Sequence, residues 1–137
     1  MLIGNGVDIV YIPRIENIWK KYKEKFLTRV YSEQEIINSY KYSDYQMQVR
    51  YFAKRFAAKE ALVKALGIGF YGINMKDIEI SNDKNGKPNI TVKNNVPNLL
   101  SKNDIIQVSL SDDGDYAIAY VIILQSKELS ILDTNIS

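Results

Sequence analysis

Apolar and polar positions alternate from Leu2 to Ile12. Val7, Ile9 and Tyr11 share one face; Gly6, Asp8, Val10 and Ile12 share the other. A period of two is that of a strand. The period then lengthens. Pro13 suits the first position of a helix, and Ile15, Ile18, Trp19, Tyr22 and Phe26 recur at helical spacing, with Lys20, Lys21, Lys23 and Lys25 on the opposite face. Ser32 followed by Glu35 is a capping-box signature for a second helix. A third helix is predicted from about Tyr45 to Leu66, with Gly67 as its C′ glycine.

The second half returns to a period of two. Ile78 and Ile80 alternate with polar residues, as do Ile90 and Val92, around the turn cluster SNDKNGKP. One short helix is expected between Asn95 and Asp104. Ile105–Ser111 and Tyr116–Leu124 read as two strands joined around DDGD. The order of one strand, three helices, then antiparallel hairpins predicts an α+β fold. Residues 1–125 form one domain with no repeat and no linker, and residues 126–137 form a patternless C-terminal tail.

Composition narrows the chemistry. The chain has 137 residues, no Cys and no His. Disulfides, thiolate chemistry, His-based triads and His-ligated zinc are therefore excluded. Acid–base or metal work falls to carboxylates and lysines, and carboxylates favour a hard cation such as Mg²⁺. A net charge of +2, from 18 basic and 16 acidic residues, is no nucleic-acid footprint. The N-terminus lacks a signal-peptide pattern, and the nine-residue apolar run Tyr116–Leu124 is too short to span a bilayer. The expectation is a soluble, cytoplasmic domain that binds neither nucleic acid nor membrane.

The stretch FAAKEALVKALG, from Phe56 to Gly67, carries Lys59, Glu60 and Lys64 in a segment that is apolar all round. Such a helix is normally surrounded by protein. Glu60 and Lys64 share one face, which makes them either an exposed i,i+4 pair or part of a half-buried site. Asp8, beside Gly6 and Val10 in a strand, poses the same choice: a strand-end cap or a site residue. Two carboxylates about 4 Å apart repel by about 4 kcal/mol at an effective dielectric of 20. A divalent cation reverses that sign, and Lys64 alongside suits a phosphate bridging to the metal. Together these are the needs of phosphoryl transfer. GNG at Gly4–Gly6 is not a dinucleotide fingerprint, because Ile9 stands at the third glycine position; no P-loop is present either.

The segments GNGVDIVYIPRIE, FLTRVYSEQE, YFAKRFAAKEALVKALGIG, NDKNGKPNITV and VSLSDDGDYAIAYVI resemble, in order and spacing, the holo-[acyl-carrier-protein] synthases, the small phosphopantetheinyl transferases. The resemblance runs from Ile3 to about Leu124. It implies the phosphopantetheinyl transferase fold and transfer of the phosphopantetheine arm of coenzyme A to a serine of apo acyl carrier protein, releasing adenosine 3′,5′-bisphosphate, a step needed for fatty acid biosynthesis. It further implies that Asp8 and Glu60 ligate Mg²⁺, that Lys64 contacts the pyrophosphate, and that Arg14 lies on the carrier-protein docking surface. Arg55, Gly86, Lys87 and Pro88 match segments lining the nucleotide end of the coenzyme site. For the serine proton two acceptors stay open, Glu60 and a water on the metal. Many members carry His where this chain has Asp112. An ionised acid cannot donate to phosphate, so Asp112 is expected to shape the DDGD turn, with an outer-shell place at the metal as the alternative. The family also implies a homotrimer with active sites at subunit interfaces. Two rivals are a different metal-dependent phosphoryl-transfer enzyme at the same acids, and a non-catalytic domain whose basic helix binds acidic partners.

Overall fold

In the computed structural model, β1 (Leu2–Tyr11) pairs antiparallel with the last strand, β5 (Tyr116–Leu124), rather than with a sequence neighbour. β5 also pairs with β4 (Ile105–Asp113), giving a three-stranded sheet in the order β1-β5-β4. Between these strands come α1 (Ile12–Tyr22), α2 (Glu24–Val30), α3 (Glu33–Ser39), α4 (Tyr45–Leu66), a 3₁₀ turn at Met75–Asp77, and a separate hairpin of β2 (Ile78–Asn82) and β3 (Pro88–Val92). The structure describes residues 1–69, 73–93, 100–101 and 103–125. The helix expected between Asn95 and Asp104 falls mainly outside the described residues, and the tail 126–137 falls wholly outside them.

The α+β order is as expected, with differences in detail. The helical pattern from Pro13 to Phe26 is two helices. Lys23, at φ 52 and ψ −128, breaks it, so four helices stand between Ile12 and Leu66 where three were predicted. That turn re-aims the chain, and Phe26, Leu27 and Val30 of α2 become buried while Tyr22 stays exposed. The Ser32 capping box is present: its hydroxyl accepts from Glu35 N at 3.1 Å, and Glu35 Oε1 accepts from Ser32 N at 2.8 Å. β4 runs on through Asp112 and Asp113, which leaves Gly114 (φ 56) and Asp115 as the turn.

α4 lies across the inner face of the sheet at unusually close range. Ala57, Ala58 and Ala61 on the helix and Ala117 and Ala119 on β5 have no exposed surface. A Cβ on Gly6 would overlap the Ala61 carbonyl oxygen and come within 2.7 Å of Ala65 N; one on Gly4 would overlap the Ala65 carbonyl oxygen. The GNG glycines are therefore contact glycines, without which β1 could not sit down on the helix backbone. The outer face of the sheet stays open and apolar: Ile9 is 61% exposed, and Val7, Tyr11, Tyr116, Ile118 and Tyr120 are exposed beside it.

On the far side of α4 a buried ion pair locks three elements together. Lys59 and Glu35 are fully buried, with Nζ 2.7 Å from Oε1. Glu35 Oε2 accepts from Ile80 N at 3.0 Å, and Lys59 also donates to the carbonyls of Met75, at 3.0 Å, and Ile78. All three ammonium protons are thus used, which is what permits two charges in a core. Burial pulls the Lys59 pKa down, against the opposing effect of Glu35.

Candidate active site

β1 delivers Asp8 to the edge of α4 because Gly6, two residues earlier, has settled that strand against Ala61 and Ala65. Glu60 and Lys64 stand one turn apart on the facing edge of the helix. Lys64 Nζ is 3.0 Å from Asp8 Oδ1 and 3.0 Å from the Val7 carbonyl oxygen. So Lys64 reaches across to the strand rather than serving only as a surface partner of Glu60. The Asp8 side chain keeps only 15% of its exposure, whereas Lys64 keeps 54%.

Electrostatics places Glu60 in the same group. Its pKa is raised first by burial and then by the Asp8 charge, while Lys64 and Arg14 oppose the rise. Asp8, Glu60 and Lys64 are the group expected from sequence; the charge of Arg14 at Glu60 is an addition to that group. Arg14 is exposed, on the first turn of α1, where its charge is felt by Glu60. Among the described residues no three acidic, His or Cys side chains cluster closely enough to enclose a metal by themselves. Two carboxylates on neighbouring elements fit Mg²⁺, which keeps several waters and binds through one or two carboxylates plus substrate phosphates.

A second constellation lies at the other edge of the sheet. Arg55, Gly86 and Pro88 line a cleft of about 490 Å³ together with Lys41, Lys54, Asn82 and Lys84. Arg55 is 6% exposed. Its Nη2 donates to Asn82 Oδ1 at 2.7 Å, its Nη1 to the Tyr51 carbonyl at 3.3 Å, and its guanidinium carbon lies 3.5 Å from the Tyr51 ring centroid. These contacts fix the guanidinium, and its Nε is buried with no hydrogen-bond partner among the described residues. The pKa of the Tyr51 hydroxyl is pushed up to about 12, chiefly by burial. Lys87 is exposed on the turn, where its N–H donates to Asp83 Oδ1 at 2.9 Å, and it is not among the described residues that line the cleft.

Asp112 does not shape the turn as expected. It is a β4 residue opposite Ala117, and its carboxylate crosses to α4. Oδ2 lies 3.0 Å from Arg50 Nη1 and Oδ1 lies 3.2 Å from Lys54 Nζ. Sequence spacing does not show this, because Lys54 and Asp112 meet only once β4 lies beside α4. The close-contact role of Gly4 and Gly6 and the partner of Lys59 were missed as well. The available signals were two glycines inside a strand and a lysine unexplained in an apolar helix.

Residues 4–121 match the model of a family described as the 4′-phosphopantetheinyl transferase superfamily. A holo-[acyl-carrier-protein] synthase of Ehrlichia canis (strain Jake) is 58% identical over 124 residues, which is 90% of this chain and 94% of that one. Among solved structures, the holo-[acyl-carrier-protein] synthase of Neisseria meningitidis is similar with a TM-score of 0.78 at 33% identity, covering 91% of this chain and 100% of that chain. The synthase of Bacillus anthracis str. Ames, in complex with CoA (3′,5′-ADP), is similar with a TM-score of 0.77 at 32% identity, covering 92% and 99%.

Proposed function

The chain belongs to the 4′-phosphopantetheinyl transferase superfamily, and from that premise we propose that it is a holo-[acyl-carrier-protein] synthase. It moves phosphopantetheine from coenzyme A to a serine of apo acyl carrier protein and releases adenosine 3′,5′-bisphosphate, readying the carrier for fatty acid synthesis in the cytoplasm. The observation that carries this reading is the convergence of Asp8, Glu60 and Lys64 at one strand–helix boundary. Asp8 and Glu60 would hold Mg²⁺, which, when bound, neutralises charge on the pyrophosphate. Lys64 orients the diphosphate and stabilises the leaving group. Glu60, beside Asp8 and Lys64, would take the serine proton. Arg14, exposed beside this group, is the docking contact for an acidic carrier protein.

The nucleotide end of coenzyme A is assigned to the cleft of Arg55, Gly86 and Pro88, with Lys87 exposed on the adjoining turn as a further contact for it. Arg55 and Lys64 are nine residues apart on α4, roughly opposite sides of the helix. Asp8 lies on the β1 edge of the sheet and Asp112 on the β4 edge. One coenzyme contacting both ends therefore calls for two subunits, and the exposed apolar outer face supports a ring of three.

Incubation with coenzyme A, Mg²⁺ and apo carrier protein tests the reading. The carrier should gain the mass of one phosphopantetheine. Hydrolysis of coenzyme A with no carrier modification would instead mark a pyrophosphatase using the same acids.

A further inference from the structure

We propose that Asp112 is a positioning residue that holds the Lys54 ammonium in the β4-edge cleft, where Lys54 recognises the 3′-phosphate of the coenzyme. The inference rests on the transferase reading above and adds a residue pair to it.

An acid beside an anion site looks misplaced, and the geometry explains it. Asp112 is shared by two cations, at 3.0 Å from Arg50 and 3.2 Å from Lys54. Arg50 is itself tied to the Gly114 carbonyl at 2.7 Å, so the carboxylate is anchored at the end of β4. The group stays ionised: burial raises its pKa, but the Lys54 and Arg50 contacts outweigh burial and leave the pKa lowered. A lysine ammonium has three donors, and Asp112 takes one, leaving two for phosphate. Lys54 has a flexible stem whose ordering costs binding energy, and the ion pair meets that cost before ligand arrives.

The cleft itself is basic. Lys41, Lys54, Arg55 and Lys84 line it against one acid, Asp83, whose Oδ1 is occupied by the N–H groups of Asn85 and Lys87. Lys41 and Lys84 are exposed, and the Arg55 guanidinium is tied to Asn82 and Tyr51. Lys54 is the lining lysine held half-buried by a second charge, and so is best organised to discriminate a phosphate.

Calorimetric titration with adenosine 3′,5′-bisphosphate and with 5′-AMP measures the preference for the extra phosphate. KM for coenzyme A against dephospho-coenzyme A measures it in turnover. Lys54→Met should lower that preference by about tenfold, the size of one lost charge-assisted contact. Asp112→Asn should lower it by about fivefold, the upper end for a half-exposed ion pair, with kcat little changed. The double variant should be no worse than Lys54→Met alone, and Asp112→Glu should recover part of the loss. Losses that add, or an Asp112→Asn enzyme with wild-type preference and merely a lower melting temperature, would overturn the proposal and leave Asp112 as a brace. If the wild type binds neither nucleotide, the transferase reading fails and takes this inference with it.

Discussion

The Lys64 ammonium bridges strand and helix, donating to Asp8 Oδ1 and to the Val7 carbonyl, both at 3.0 Å. Lys64 is thus held at the acid that a metal would use, while Glu60 feels both charges. Asp8→Asn and Glu60→Gln are each expected to lower kcat by about a hundredfold or more, the scale of removing one stabiliser of transition-state charge. Both should also weaken Mn²⁺ binding measured by water-proton relaxation. Lys64→Met should lower kcat comparably yet leave metal affinity intact or improved. Weaker metal binding in Lys64→Met would assign that lysine a different task.

Gly6→Ala tests how the site is assembled. The new methyl must displace the Ala61 carbonyl and Ala65 N–H, so β1 has to lift from α4. Overpacking of this kind costs about 1–3 kcal/mol, read from the urea midpoint. Asp8 moves with the strand, so turnover per folded molecule should fall too. Gly67→Ala is the control: at φ 73 with open space around it, an alanine costs about 1–2 kcal/mol of backbone strain without disturbing the strand–helix contact. Equal loss of turnover in both variants would show that Gly6 does not set the site.

Much of this arrangement is legible in the sequence. The period-two and period-3.6 patterns located β1, α4 and both hairpins, and the unexplained charges Asp8, Glu60 and Lys64 pointed to one site. What stayed hidden depends on tertiary pairing. Glu35 reads as a capping acid, and it is one, but its bond to Lys59 needs α4 beside it and the use of its second oxygen by Ile80 N–H needs β2 docked. The break at Lys23 carries no Gly or Pro signal. Asp112 reads as a turn residue because DDGD looks like a loop, and only the register with β5 shows the strand continuing through it.

The Lys59–Glu35 pair should behave as a buried pair rather than a surface one. Both side chains have no exposure, so Lys59→Met strands a carboxylate in the core. The expected loss is about 3–5 kcal/mol in urea unfolding. Pairing it with Glu35→Gln removes the stranded charge, so the double variant should be less destabilised than the sum of the singles. Simple additivity would mean that the two charges do not depend on one another.

Arg14 is exposed, and the lysine-rich face of α1 continues from it through Lys20 and Lys21. Exposed charges act mainly on encounter rate and are screened over about 8–10 Å at ordinary ionic strength. Arg14→Glu should therefore raise KM for the carrier protein, leave KM for coenzyme A unchanged, and flatten the dependence of kcat/KM on salt. Lys21→Glu should do the same more weakly. A change confined to coenzyme A kinetics would move Arg14 from the docking surface to the coenzyme site.

The two groups of residues lie on opposite edges of one sheet, Asp8 and Glu60 by β1, Lys54 and Asp112 by β4. If neighbouring subunits of a closed ring combine them, inactive variants can complement one another. Glu60→Gln spoils only the β1-edge half, and Lys54→Glu, which places a negative charge in the cleft, spoils only the β4-edge half. Coexpressed with different tags and mixed at random into trimers, the two chains should regain about a quarter of wild-type turnover, because most rings then hold one interface with both halves intact. The double-tagged fraction should carry that activity, and each variant alone should show almost none. Double-tagged assemblies with no recovery would mean that each chain builds its site alone, and the outer face of Val7, Ile9 and Tyr120 would then need another reason to be apolar and exposed.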